Sequence, residues 1–246
     1  MSLLGRTRAR LALRQRFRDP IAAKHEAQLR WWLEEWDPVI RDGGLMPADA
    51  LSFLDDEKIE PTYLGRRWQL ARSQARRVLA EAAIDDPSFF EGRVVVEIGP
   101  GPLGFPDACR AKVSIGVDPL AERYAQHGLL LPDSPAVYIS SDAERIPLLS
   151  ASAAVVLARA TLDYVDDPER VLRESRRILR PDGKLILLFD VDHVPNASQP
   201  NALTVDGVRA GLQGMTIVRE HHWDEPFGRD GHRVVLVADG ARSSRD

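Results

Sequence analysis

Residues 94–118, VVVEIGPGPLGFPDACRAKVSIGVD, restrict the folds open to this chain more than any other stretch. Two short, mostly apolar runs, 94–98 and 113–117, are each followed by a polar or glycine-rich turn. Runs of that length suit strands buried on both faces, and such strands lie parallel in a sheet covered by helices. A parallel pair needs a crossover, and the stretch 105–112 between the runs predicts a short helix. In such sheets the ligand crevice forms at the strand ends. Gly99, Gly101 and Gly104 let the backbone turn sharply and approach a ligand, while Asp118 falls where a carboxylate accepts from two ribose hydroxyls. This is a nucleoside-binding layout.

Gly99-x-Gly101-x-x-Gly104 also fits a dinucleotide fingerprint, and it fits a ligand-free Gly/Pro turn. The prolines weigh against a dinucleotide. A pyrophosphate is held by backbone N–H donors at a helix N-terminus, and Pro100, Pro102 and Pro106 have none. Glu97 beside the turn would repel a diphosphate but suits a ligand carrying an ammonium and a sulfonium, as S-adenosylmethionine does.

On these residues the chain resembles the class I S-adenosylmethionine-dependent methyltransferases, over about 93–239. EIGPGPLG is similar to the family's first motif, with Glu97, Gly99 and Gly101 in the acidic-x-Gly-x-Gly positions and Pro100 between the glycines; the usual third glycine falls at Leu103, and Gly104 follows one residue later. GVDPL places Asp118 and Pro119 where the family holds the ribose, and an N-cap role for Asp118 is compatible with this. Asp142 and Ala143 are similar to the family's adenine contact, a carboxylate for the amino group and an N–H for a ring nitrogen. Residues 152–190 look like the fourth strand, a helix opened by Asp167 and Pro168, and a fifth strand at 184–189 that follows Arg-Pro-Asp-Gly. Where the family often has Asn-x-Leu-x-His, this chain has Arg159, Leu162 and Tyr164. Arg159 is expected to line the pocket with its backbone, its side chain turning away or holding a substrate anion.

The resemblance implies a Rossmann-like α/β fold: a seven-stranded, mostly parallel sheet closed by an antiparallel carboxyl-terminal hairpin, its strands at about 215–222 and 234–238 after a helix near 205–213. Two regions are expected, a helical amino-terminal cap over 1–90 and the S-adenosylmethionine-binding domain over 91–246. In the cap, Trp31, Trp32 and Trp36 lie close together and a later helix covers 64–83. Trp32, Trp36, Tyr63 and Arg67 are candidate lid residues for the acceptor, although aromatic residues at helical spacing also serve as core. The loop after the fifth strand adds Asp192 to the substrate candidates and His193, with Tyr164, to the candidates for proton transfer. Asp190, Asp192 and His193 have no specific metal spacing, and His221 and His222 point to opposite faces of a strand, so no metal is expected.

The implied activity is methyl transfer from S-adenosyl-L-methionine to a small molecule in bacterial-type biosynthesis, with S-adenosyl-L-homocysteine as product. Two alternatives stay open. One is the same scaffold doing non-methyl chemistry such as cyclisation, or serving as a partner subunit; the other is an NAD-type oxidoreductase, which the prolines disfavour. Composition agrees with one sizeable core: 246 residues, 44% hydrophobic. The single Cys109 forms no internal disulfide and fits a cytoplasmic setting. No apolar run reaches membrane length. A net charge of −4 carries no nucleic-acid signature. Six arginines stand in the first twenty residues against one aspartate. They read as a leader helix, with a targeting or phosphate-binding arm as the other reading and nucleic-acid methylation resting on it alone. The oligomeric state is not set by any of these features.

Overall fold

The computed structural model describes residues 20–43, 58–196, 198–223 and 232–240. The arginine leader, Asp224, the turn at 225–231 and the tail after Gly240 lie outside the described residues. Seven strands form one sheet: β1 (Val94–Ile98), β2 (Val113–Val117), β3 (Val137–Ile139), β4 (Ala153–Arg159), β5 (Leu179–Val191), β6 (Thr216–Trp223) and β7 (His232–Asp239). Their order is β3-β2-β1-β4-β5-β7-β6. The first five run parallel, and β7 lies antiparallel to both its neighbours. The fold is therefore the Rossmann-like sheet expected from the sequence, with the last strand inserted inside the hairpin rather than at the edge.

Alternation along the strands divides the core. Val95, Val155, Leu157, Leu188 and Val235 face Val78, Ala82, Phe90 and Phe105 on one side. Val96, Ile98, Val156, Leu187 and Val234 face the other, against α5 (Pro168–Ile178) and α6 (Val205–Gly211) through Val171, Leu172, Ile178 and Val208. Each such aliphatic side chain contributes about 1.5–3 kcal/mol on full burial. Helix α5 starts where its sequence says it should, with the Asp167 carboxylate accepting from the Arg170 N–H at 2.9 Å and Pro168 in the first turn.

Two local expectations need correction. The crossover at 105–112 is not an α-helix. It consists of 3₁₀ turns at Gly101–Leu103 and Phe105–Asp107, separated by Gly104 in extended backbone. The Ala108 N–H closes back on the Phe105 carbonyl at i→i+3, and Arg110 leaves the helical region at φ 54°, so the turn does not propagate as an i→i−4 ladder. Strand β5 begins at Leu179, not Lys184. Leu179 pairs with Ala153, and a shift in register before Val155 absorbs the Arg-Pro-Asp-Gly stretch.

The amino-terminal helices lie against the carboxyl edge of the sheet. They are α1 (Pro20–Trp31), continued by a π turn (Trp32–Trp36) into α2 (Asp37–Arg41), and then α3 (Tyr63–Glu81), which Thr62 caps through the Gly65 N–H. Helix α4 (Ala121–Gln126) follows β2. Helix α3 crosses the strands: Arg67 donates to backbone carbonyls of Gly128 and Leu129 beyond α4, Gln74 meets Arg159 of β4, and the Glu81 carbonyl accepts from Arg219 of β6. No described helix is long and apolar enough to cross a membrane.

Candidate active site

A cavity of about 680 Å³ runs along the carboxyl edge of the sheet beneath α1 and α3. That is the size and position of a small-molecule site in an open α/β sheet. Its floor starts at the turn after β1. Gly99 (φ 66°) and Gly101 (φ 64°) both adopt the left-handed region, which L side chains rarely enter. A Cβ on Gly99 would fall 2.6 Å from Thr161 atoms, and one on Gly101 would fall 2.9 Å from the Trp32 ring. The loop thus lies tightly between the turn after β4 and the indole from the lid. Ala160, also left-handed at φ 46°, makes that second turn, and the Thr161 hydroxyl anchors it by donating to the Ile98 carbonyl at 3.1 Å.

Asp118, at the end of β2, is 6% exposed and borders the cavity. Oδ2 accepts from the Gly101 N–H at 3.1 Å and Oδ1 from the Leu120 N–H at 2.8 Å. Burial pushes its carboxyl up, and the two amides oppose the shift. One carboxylate therefore fixes the glycine loop and the start of the next segment, and each oxygen keeps a second lone pair for a hydroxyl. Asp142 and Ala143, just after β3, line the same end, Asp142 exposed and Ala143 buried.

At the end of β4, the Arg159 side chain meets Glu97. Nε donates to Glu97 Oε1 at 2.9 Å and Nη1 to Gln74 Oε1 at 2.8 Å. Glu97 is 1% exposed and does not border the cavity, and its Oε2 has no hydrogen-bond partner. Burial raises its carboxyl, and Arg159 pulls it back. Glu97 is thus the counter-ion of Arg159 rather than a charge presented to a ligand.

The roof comes from α1. The π turn brings Trp31, Trp32 and Trp36 together, with ring centroids 4.9–5.5 Å apart. Trp32 also packs edge-on against Tyr124 of α4. Lys24 ties this helix across the cavity, donating to the Tyr164 carbonyl at 2.8 Å and to Asp166 at 2.7 Å, while Glu26 holds Arg123 of α4 at 2.9 Å. His25 borders the cavity, and burial, followed by the Lys24 charge, lowers its pKa.

A sequence family described as a methyltransferase domain matches residues 96–187. An uncharacterized methyltransferase of Mycobacteroides abscessus is 27% identical over 162 residues, 63% of this chain and 62% of the relative. The chain thus spans less than two thirds of that relative's length. Among solved structures, an S-adenosylmethionine-dependent methyltransferase from Mesorhizobium loti superposes with a TM-score of 0.52 at 17% identity, covering 67% of this chain and 95% of its own. The cyclase SpnF gives 0.53 at 14% identity, covering 76% and 86%. The match at 96–187 is to a methyltransferase domain, and the sheet shares the fold of solved S-adenosylmethionine-dependent methyltransferases. The sequence-based candidates divide clearly. Gly99, Pro100, Gly101, Asp118, Pro119, Asp142, Ala143, Arg159, Trp32, Trp36 and Tyr164 border the cavity, and Glu97, Tyr63, Arg67, Asp192 and His193 do not.

The outliers have other work. Tyr63 donates its hydroxyl to Asp37 and packs with Ile40 and Leu70. Arg67 is buried on the Leu129 carbonyl. Asp192 makes an exposed left-handed bend at φ 61°. His193 is 9% exposed with neither ring nitrogen bonded, and nearby Asp163 accepts from Gln199 through Oδ2. Gln199 borders the cavity and His193 does not. Sequence reading missed His25, Lys24, Gln74, Arg77 and Arg233. Leu70, Gln74 and Arg77, at i, i+4 and i+7 of a predicted helix, carried a usable signal. Arg233 carried none, because its place depends on pairing with β5. Among the described residues no cluster suited to a metal occurs.

Proposed function

We propose that this chain transfers the methyl group of S-adenosyl-L-methionine to a small molecule and releases S-adenosyl-L-homocysteine. The observation that carries this reading is the backbone after β1. The glycine loop leads into 3₁₀ turns containing prolines, so no α-helix starts at this loop, where a dinucleotide fold would present its diphosphate-binding N-terminus. Carboxylates stand instead at the ends of β2 and β3. The residues fit an adenosyl group: Asp118 has lone pairs left for ribose hydroxyls, and Asp142 with the Ala143 N–H suits an adenine edge.

When bound, the cofactor supplies an electrophilic methyl on a sulfonium. The protein's part is mainly alignment and exclusion of water, which the tryptophan roof and the Lys24 tie provide. An acceptor hydroxyl or ammonium would also lose a proton. Tyr164 borders the cavity and can contact an acceptor, whereas His193 does not border it. Calorimetry with S-adenosyl-L-homocysteine and NAD tests the reading. Binding of the former and none of the latter is expected. Asp142→Ala should weaken binding about tenfold, the loss of one hydrogen bond to a charged group. Equal affinity for NAD, or an unaffected Asp142→Ala protein, would overturn it; binding with no methyl incorporation into any acceptor would favour non-methyl chemistry on the same scaffold.

A further inference from the structure

The cavity is electrically divided along the sheet edge. Its acids, Asp118, Asp142, Glu144 and Asp166, follow β2, β3 and β4. None comes from α3, β5 or β7. Arg77 of α3 and Arg233 of β7 border that end instead, with Arg159 of β4 between the two ends and Trp36, Leu70 and Leu188 as apolar surface.

Each of these arginines is fixed by a carboxylate that stands behind it. Arg77 holds Glu81 at 2.6 Å, Arg159 holds Glu97 at 2.9 Å, and Arg233 holds Asp190 through two contacts of 2.9 and 3.3 Å. Glu81, Glu97 and Asp190 are 7%, 1% and 8% exposed, and none borders the cavity. Each pair therefore borders the cavity through its arginine and not its acid, with the guanidinium oriented by the ion pair. Planar, oriented guanidinium groups match carboxylates and similar oxyanions better than point charges do.

Resting on the methyltransferase reading, we infer that the acceptor is an organic anion of the carboxylate type on a flat apolar frame, its charge held by Arg77 and Arg233. The frame lies against Trp36 and Leu70. The cofactor's own carboxylate has the same chemistry, but the sheet separates the two. Arg233 on β7 lies three strands from β1, whose glycine loop sets the cofactor's place, and strand spacing makes that roughly 14 Å.

Saturation-transfer NMR with benzoate and benzamide, alike in shape and different in charge, tests the inference with and without saturating S-adenosyl-L-homocysteine. Benzoate should bind at least about tenfold more tightly than benzamide, and the preference should shrink as salt is raised. Arg77→Lys/Arg233→Lys keeps the buried ion pairs and should reduce the preference severalfold while calorimetry shows unchanged affinity for S-adenosyl-L-homocysteine. Equal binding of the two probes, binding of neither, or a preference untouched by the lysines would overturn the proposal. So would a parallel loss of S-adenosyl-L-homocysteine affinity, which would assign the arginines to the cofactor. If S-adenosyl-L-homocysteine fails to bind the wild-type protein, the methyltransferase reading falls, and the benzoate preference measured without it still decides the anion site.

Discussion

Replacing Arg159 with methionine removes the only cation among the described residues that donates a hydrogen bond to Glu97. The two side chains are 11% and 2% exposed, so solvent cannot take over the screening. Breaking a buried pair by deleting one partner costs about 3–5 kcal/mol, because the remaining charge is uncompensated. For a chain of this size each kcal/mol moves the melting temperature by about 2–4 °C, so Arg159→Met should lose roughly 10 °C near neutral pH. The pH dependence follows from Glu97. Burial raises its folded-state pKa and Arg159 lowers it, so the variant's carboxyl rises further above its unfolded value of about 4.3. A group raised on folding contributes most stability below its unfolded pKa, and this is lost as pH rises through the folded one. The deficit relative to wild type should therefore be small near about pH 4 and full near about pH 8. Adding Glu97→Gln should recover most of it. Thermal melts of the four proteins of this cycle across that range are the assay. A loss equal at both ends, or no recovery in the double variant, would refute the pairing argument.

Three further outcomes follow. Gly101→Ala should lose about 1–2 kcal/mol from left-handed backbone alone, and should displace Trp32, visible as a red shift and loss of quenching in tryptophan fluorescence. His25 is held below its ordinary value by burial, so an NMR titration of its ring should give a midpoint under about 6.5. The stability His25 contributes when neutral is present above that unfolded value and lost as pH falls through the folded one. Lys24→Met should change stability by under about 1 kcal/mol, since Asp166 is half exposed, yet speed the opening of α1 as read by amide exchange in 20–31.

The sheet was legible because its signals are local. Buried strands announce themselves as short apolar runs, and Asp167-Pro168 is a helix start whatever surrounds it. The crossover misled for a physical reason: 105–112 has helix-compatible length, but it closes as a single 3₁₀ turn at Phe105–Asp107 and leaves the helical region at Arg110, φ 54°. The site divides the same way. Gly99, Gly101, Asp118 and Asp142 fall at strand ends that sequence can locate. The arginine wall cannot be seen so, because Arg159 and Glu97 are 62 residues apart and Arg233 and Asp190 are 43 apart, joined only by strand pairing. His193 looked available since a loop histidine after a strand commonly faces the ligand. Here the left-handed bend at Asp192 precedes a ring that is buried toward Asp163.

A crystal structure of the full chain with S-adenosyl-L-homocysteine tests the central claim most directly. Adenine should lie at Asp142 and Ala143, the ribose on Asp118, and the sulfur beyond the glycine loop on the side of Arg159, with the space toward Arg233 left for the acceptor. Adenosine bound elsewhere, or a crevice that takes a diphosphate across Gly99 to Gly104, would contradict the account.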